Sequence, residues 1–112
     1  MSSQFLTLLL LISIAAIHHL PVVTCRTWCV ALPATSAEQL QNNIKFGCSH
    51  IDCAAINPGG TCYYPNTLYN HASYVMNAYY QSQGRTFAAC TFGNTGFQIG
   101  SDPSAGECVF PA

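Results

Sequence analysis

The chain has 112 residues, with 3 basic and 4 acidic side chains and a formal net charge of −1. Nucleic acids, anionic membranes and ionic polymers are all held through charged patches, so this balance excludes them as main partners and favours an uncharged one. Seven cysteines in so short a chain point to cross-links as the substitute for a large core.

The N-terminus carries an apolar run from Phe5 to Ile17, followed by His18-His19-Leu20-Pro21 and Val22-Val23-Thr24-Cys25. A bilayer span needs about 20 apolar residues, whereas a secretory signal needs only ~7 to 15 closed by small residues. The run is therefore read as a signal peptide over residues 1–25, despite an n-region, Met1-Ser2-Ser3-Gln4, that lacks Lys and Arg. Cleavage after Cys25 places Val23 and Cys25 at the two recognised positions. It leaves 87 residues beginning at Arg26 and removes one cysteine. The remaining Cys29, Cys48, Cys53, Cys62, Cys90 and Cys108 suit three disulfides in an oxidising compartment, although spacing alone leaves about fifteen connectivities open.

Next in order, Thr35-Ser36-Ala37-Glu38 reads as a capping box, with Thr35 serving the Glu38 amide, and a helix is expected to about Gly47. Ala37, Leu40, Ile44 and Cys48 share one face at helical spacing and are expected to point inward. From Cys48 to Pro65 the chain is broken by Asn57-Pro58-Gly59-Gly60 and Pro65, which favour turns. A second helix, capped by Asn66 or Thr67, is expected to run to about Gln83 and stop at Gly84.

On that helix Leu68, Ala72, Val75, Met76 and Tyr79 fall on one side, and Asn70, Asn77 and Gln81 on the other. Tyr69 and Tyr80 flank the apolar stripe together with Ser73, and Tyr74 flanks it opposite. All six tyrosines of the chain lie between Cys62 and Gln81. Beyond Cys90, alternating Phe97 and Ile99 between turn residues suggest a short strand, with Glu107 to Phe110 as its partner. No internal repeat, linker or low-complexity tract interrupts residues 26–112, so one domain is expected there.

Catalytic and metal chemistry find little support. Glycoside hydrolysis usually needs two carboxyl groups facing each other across a cleft, but Glu38 reads as part of a cap, Asp52 sits in a tiny loop between cysteines, Asp102 can cap its own Pro-Ser turn, and Glu107 stands alone. With the cysteines paired, only His50 and His71 remain as metal ligands. No metal, no cofactor and no catalytic residue is expected. No Gly-x-Ser-x-Gly elbow and no Asn-x-Ser/Thr sequon occurs.

Thr27-Trp28-Cys29-Val30-Ala31, Asn57-Pro58-Gly59-Gly60, Cys62-Tyr63-x-Pro65-Asn66-Thr67, His71-Ala72-Ser73-Tyr74 and Asn77-x-Tyr79-Tyr80-Gln81 together resemble carbohydrate-binding module family 43, the X-eight domain of plants. The likeness continues through Cys90-x-Phe92-Gly93, Asp102-Pro103-Ser104 and Cys108-Val109-Phe110-Pro111. The loop Cys48-Ser49-His50-Ile51-Asp52-Cys53 is shorter than the family's usual form. The resemblance implies a small disulfide-rich α+β fold, two helices packed with a short antiparallel sheet, joined by Cys29–Cys90, Cys48–Cys53 and Cys62–Cys108. It also implies non-catalytic binding of linear β-1,3-glucan such as callose in the cell wall, including callose around plasmodesmata. Family members often continue into a lipid-anchor signal or accompany a glucanase catalytic domain. This chain stops at Pro111-Ala112, so neither is expected on it.

A neutral glucan offers hydroxyls and patches of C–H, for which aromatic faces beside amides are the complement. Tyr69, Tyr74 and Tyr80 are the candidates for stacking, with Asn66, His71, Asn77 and Gln81 as hydrogen-bond partners. Against each stands a structural role: helical tyrosines beside an apolar stripe usually bury, and Asn66 competes as a helix cap. Trp28 is expected to pack on a disulfide. A monomer acting outside the cell, without membrane insertion, is expected. The alternative is a small secreted defence or signalling protein on the same scaffold, although near-zero charge disfavours attack on membranes.

Overall fold

The structure, a computed structural model, describes residues 25–112. The expected signal segment falls, except for Cys25, outside the described residues. Four elements build the fold: β1 (Trp28–Ala31), α1 (Ala37–Cys48), α2 (Leu68–Ser82) and β2 (Gly96–Ile99). Single 3₁₀ turns occupy Ala54–Ile56 and Phe87–Cys90.

β1 and β2 pair antiparallel, with Trp28 opposite Ile99 and Ala31 opposite Gly96. The strand around Phe97 and Ile99 is present, but its partner is Trp28–Ala31 rather than Glu107–Phe110. The latter segment forms only an isolated bridge between Ala105 and Cys108, closed by Gly106 at φ +57°, a conformation that glycine adopts without steric cost. β1 escapes a period-two reading because all four of its residues are buried. Cys29 and Ala31 face a cluster containing Leu40, Ala72, Met76 and Tyr80, while Trp28 and Val30 face a second containing Cys62, Cys108 and Phe110. Trp28 thus packs beside the Cys62–Cys108 bridge.

The start of α1 lies one residue beyond the expected cap. Ser36 Oγ accepts from the Gln39 amide at 3.2 Å, whereas the Thr35 hydroxyl donates to the Leu32 carbonyl at 2.7 Å. Glu38 remains exposed in the first turn, where a carboxylate favours the positive end of the helix dipole. The buried face of α1 is Leu40, Asn43 and Gly47, with Ile44 packed at its edge and Ala37 exposed. A Cβ at Gly47 would fall on Val75 Cγ1, so glycine is what lets α1 and α2 approach there.

α2 begins at Thr67, whose hydroxyl accepts from the Asn70 amide at 3.2 Å; Asn66 is not the cap. Its buried residues are Ala72, Ser73, Val75, Met76, Asn77 and Tyr80, so the helix is rolled toward Ser73, Asn77 and Tyr80 relative to its apolar stripe, and Tyr79 is only half-buried. The cause is β1. Its inner edge pairs with β2, and its outer edge would otherwise bury unpaired backbone groups.

Ser73 Oγ accepts from the Ala31 amide at 3.0 Å, Asn77 Oδ1 accepts from the Cys29 amide at 3.1 Å, and Gln81 Nε2 donates to the Thr27 carbonyl at 2.8 Å. Four helical residues rise about 6 Å and two strand residues about 6.6 Å. A row of polar side chains every fourth residue can therefore track alternate residues of an antiparallel strand. Tyr80 completes the arrangement: its hydroxyl lies 2.6 Å from Thr27 Oγ1 and accepts from Gln98 Nε2 at 2.7 Å.

Three disulfides cross-link these parts: Cys29–Cys90, Cys48–Cys53 and Cys62–Cys108, with Cα separations of 5.6, 5.5 and 4.6 Å. Bridges of this kind contribute about 2 to 4 kcal/mol each, mainly by restricting the unfolded chain, which matters when two small clusters replace one core.

Asn77 is fully buried and also donates to the Pro111 carbonyl at 2.8 Å. Asn77→Ala strands the Cys29 amide and the Pro111 carbonyl, and is expected to lower stability by on the order of 2 to 3 kcal/mol. Urea unfolding with the disulfides kept oxidised measures this; a loss below about 0.5 kcal/mol would show that the side-chain ladder does not support β1.

Candidate functional site

The residues suggested by the sequence do not gather on one face. Tyr80 and Asn77 are fully buried and hydrogen-bonded to the sheet and C-terminal segment, so neither presents a surface to a ligand: both are structural rather than sugar contacts. Gln81 is half-buried, with its amide nitrogen bonded to the Thr27 carbonyl and, at 3.2 Å, to Asn77 Oδ1. Tyr69 packs at the edge of the first cluster. Tyr74 packs at the edge of the second, edge-on to Phe110 at 5.5 Å. Five residues apart on a helix, Tyr69 and Tyr74 point about 140° away from each other. Asn66 donates to the Tyr63 hydroxyl at 3.0 Å, and His71 Nε2 lies 2.8 Å from the Tyr63 carbonyl. These two support Tyr63.

An open groove of about 380 Å³ runs between α1, the C-terminal half of α2 and the segment after the second 3₁₀ turn; Gln39, Asn42, Phe46, Tyr79, Thr91 and Phe92 contribute to its walls. Its aromatic floor is a three-ring cluster: Phe46–Tyr79 at 5.0 Å, Tyr79–Phe92 at 5.8 Å and Phe46–Phe92 at 6.0 Å, each pair close to perpendicular. Edge-to-face contacts of this kind hold rings against one another with little freedom. His50 extends the cluster, 4.8 Å from Phe46. Phe46 keeps 45% of its surface exposed, a large apolar area for a domain of this size to leave open.

Amides line the polar side. Gln39 Nε2 donates to Asn43 Oδ1 at 2.8 Å, and buried Asn43 in turn donates to Thr95 Oγ1 at 2.9 Å. This chain fixes Gln39 on the groove wall, beside exposed Asn42. Among the described residues no charged side chain lines the groove.

Phe92 takes φ +43°, followed by Gly93 and Asn94 also at positive φ. A bulky residue in the left-handed region is uncommon and costs energy. Here it turns the chain so that the Phe92 ring meets Phe46 and Tyr79, while Thr95 donates back to the Phe92 carbonyl from both its amide and its hydroxyl. Gln39, Asn42 and Phe46 belong to no motif of the sequence, and Phe92 stands in one only as part of the family likeness. The signal available was the spacing Gln39, Asn42, Asn43, Phe46, a second helical face of amides ending in a ring.

Of the acidic residues, Asp52 Oδ1 accepts from the Ala54 amide at 2.9 Å and Asp102 Oδ1 from the Ser104 amide at 2.8 Å, so both shape turns. Hydrogen bonds from Ser104 hold the Asp102 carboxyl below the ordinary aspartate range. Among the described residues no group of three or more His, Cys, Asp or Glu could hold a metal ion, and no helix is long and apolar enough to cross a membrane.

Comparison with known proteins gives a concordant result. The family model of the X8 domain matches residues 27–97. Glucan endo-1,3-beta-glucosidase of Triticum aestivum is 52% identical over 83 residues, covering 74% of this chain and 18% of that protein. Glucan endo-1,3-beta-D-glucosidase of Olea europaea is 48% identical over 87 residues, 77% of this chain and 19% of that one. Major pollen allergen Ole e 10 of Olea europaea is 46% identical over 87 residues, 76% of this chain and 71% of the allergen. The chain thus spans less than a fifth of the two glucosidases but most of the allergen.

Tyr74 differs electrostatically from a free tyrosine: burial, and secondarily the negative charge of Asp52, push its phenol above the usual value near 10. A group protonated more tightly when folded contributes stability below its unfolded pKa, which is lost as pH rises through the folded one. The difference in phenolate absorbance between wild type and Tyr74→Phe isolates the Tyr74 phenol, which is expected to ionise above pH 10 in the native domain. A difference step at or below pH 10 would show that burial does not shift this phenol.

Proposed function

Because the chain belongs to the X8 domain family, we propose that it is a non-catalytic module binding linear β-1,3-glucan along the groove of Phe46, Tyr79 and Phe92. The observation that carries this reading is an uncharged groove whose rings stand beside side-chain amides. Apolar C–H patches of a sugar lie against rings, and its hydroxyls exchange hydrogen bonds with amides. The names of the glucosidase relatives support the choice of linkage, since in those longer proteins a region like this one accompanies action on 1,3-linked glucan.

Covering about 100 Å² of apolar surface with one sugar yields about 2.5 kcal/mol, while association costs about 4 kcal/mol or more. One ring is insufficient. A groove open at its ends lets a polymer occupy several adjacent subsites, and repeated rebinding along the chain raises the apparent affinity. A binding role without catalysis is supported by the placement of the carboxylates: Asp52 and Asp102 hold turns, and among the described residues no carboxylate lines the groove. Three disulfides suit an oxidising compartment. That supports secretion, which fits residues 1–25 as a signal and residues 26–112 as the secreted domain; the target we propose is callose of the plant cell wall, including that at plasmodesmata.

The test is retention on insoluble β-1,3-glucan compared with cellulose. The domain is expected to be retained on the first only, and Phe46→Ala is expected to weaken retention tenfold or more, about 1.4 kcal/mol, while circular dichroism shows the variant to be folded. Equal retention on both polymers, or an unchanged affinity for Phe46→Ala, would overturn the assignment.

A further inference from the structure

Tyr64 is the most exposed tyrosine, with 75% of its surface in solvent, yet it is not loosely held. Its ring stands edge-on to Tyr63, 4.9 Å away at 82°. Tyr63 is fixed in turn by Asn66 on its hydroxyl and by His71, which hydrogen-bonds its carbonyl and lies 5.8 Å from its ring. Tyr63, Asn66 and His71 therefore form a three-residue support at one side of the Tyr64 ring, most of which stays open to solvent.

The ring borders a shallow depression of about 470 Å³, between the chain preceding α2 and the Ala105–Glu107 turn, within the size range of sites for small ligands. Thr61, which carries a hydroxyl, and Glu107, which carries a carboxylate, line it, and among the described residues no basic one does. A carboxylate without a cation partner repels anions and accepts hydrogen bonds from neutral hydroxyls. A rigid ring, a hydroxyl and a lone acceptor together match a neutral sugar.

We propose that the Tyr64 face is a second glucan-binding site, which makes the domain bivalent and able to bridge two glucan segments. The proposal rests on the groove reading above. The two sites share no lining residue and lie toward opposite ends of α2: the eleven helical steps from Leu68 to Tyr79 alone rise about 16 Å. Two sugar sites so separated cannot act on one monosaccharide. They act on one long chain at two points, or on two chains.

Titration with a short β-1,3-gluco-oligosaccharide, together with light scattering of the domain mixed with a long soluble β-1,3-glucan, tests this. Wild type is expected to bind two oligosaccharides per domain and to raise scattering by joining polymer chains, with scattering falling again when the domain is in excess. Tyr64→Ala should leave one oligosaccharide per domain, abolish the scattering rise and lower retention on insoluble glucan by about 10²-fold; Tyr64→Phe should retain all three properties. Phe46→Ala should weaken the other site and also abolish bridging. One oligosaccharide per wild-type domain, with scattering and retention unaffected by Tyr64→Ala, would overturn the second site and leave the groove standing. No binding of oligosaccharide or polymer by wild type would overturn both.

Discussion

The outer edge of β1 is completed by side chains of α2 rather than by a third strand, and the remaining architecture depends on that substitution. A two-stranded ribbon of four-residue strands is marginal by itself. Here Ser73, Asn77 and Gln81 satisfy Ala31, Cys29 and Thr27 in turn, and Tyr80 ties the helix to both strands' neighbourhoods through Thr27 and Gln98. The near match between four residues of helix and two of strand makes the register repeat. It also fixes the roll of α2, and with it the direction of every other side chain on that helix. Tyr79 turns toward Phe46 and Phe92 in the groove and Tyr74 toward Phe110.

The disulfides brace the two surfaces that this roll creates. Cys29–Cys90 joins β1 to the turn two residues before Phe92, so the ring held at positive φ hangs from a cross-linked anchor. Cys48–Cys53 closes the end of α1 just beyond Phe46 and around His50. Cys62–Cys108 lies directly beside Tyr63 and Glu107, at the base of the Tyr64 face. A domain with two small apolar clusters has little packing to hold exposed rings still. Covalent bracing supplies the rigidity, and rigid contact groups lose less entropy when a ligand binds.

Near-zero charge and the amide-and-aromatic character of the exposed groups belong to the same logic. An ionic partner would be steered by a field that this chain does not generate. Hydroxyl-rich, uncharged polymers are recognised instead by shape and by many short-range contacts, which the groove supplies at its wall and floor.

Local signals were legible where their physics is local. Ser and Thr before apolar periodicity announced both helices, within one residue at the start of α1, because a hydroxyl one position along can serve the equivalent amide. Gly84 at φ +74° closes α2 as a left-handed glycine should. The even set of cysteines announced cross-linking, the turn residues after Cys90 announced a strand, and the family resemblance was carried by motifs spread along the domain. What the chain could not reveal locally was the identity of its neighbours. Asn77 looks like a surface residue on a helical wheel, and only the buried Cys29 amide makes it an interior one. Trp28–Ala31 looks like no half-buried strand, since both of its faces meet apolar clusters. Helix positions and chemical class are thus carried by the sequence itself, and the pairing of the cysteines by the family resemblance, while the partner of β2 and the roll of α2, and therefore which rings reach solvent, were decided by the tertiary need to satisfy one strand edge away from water.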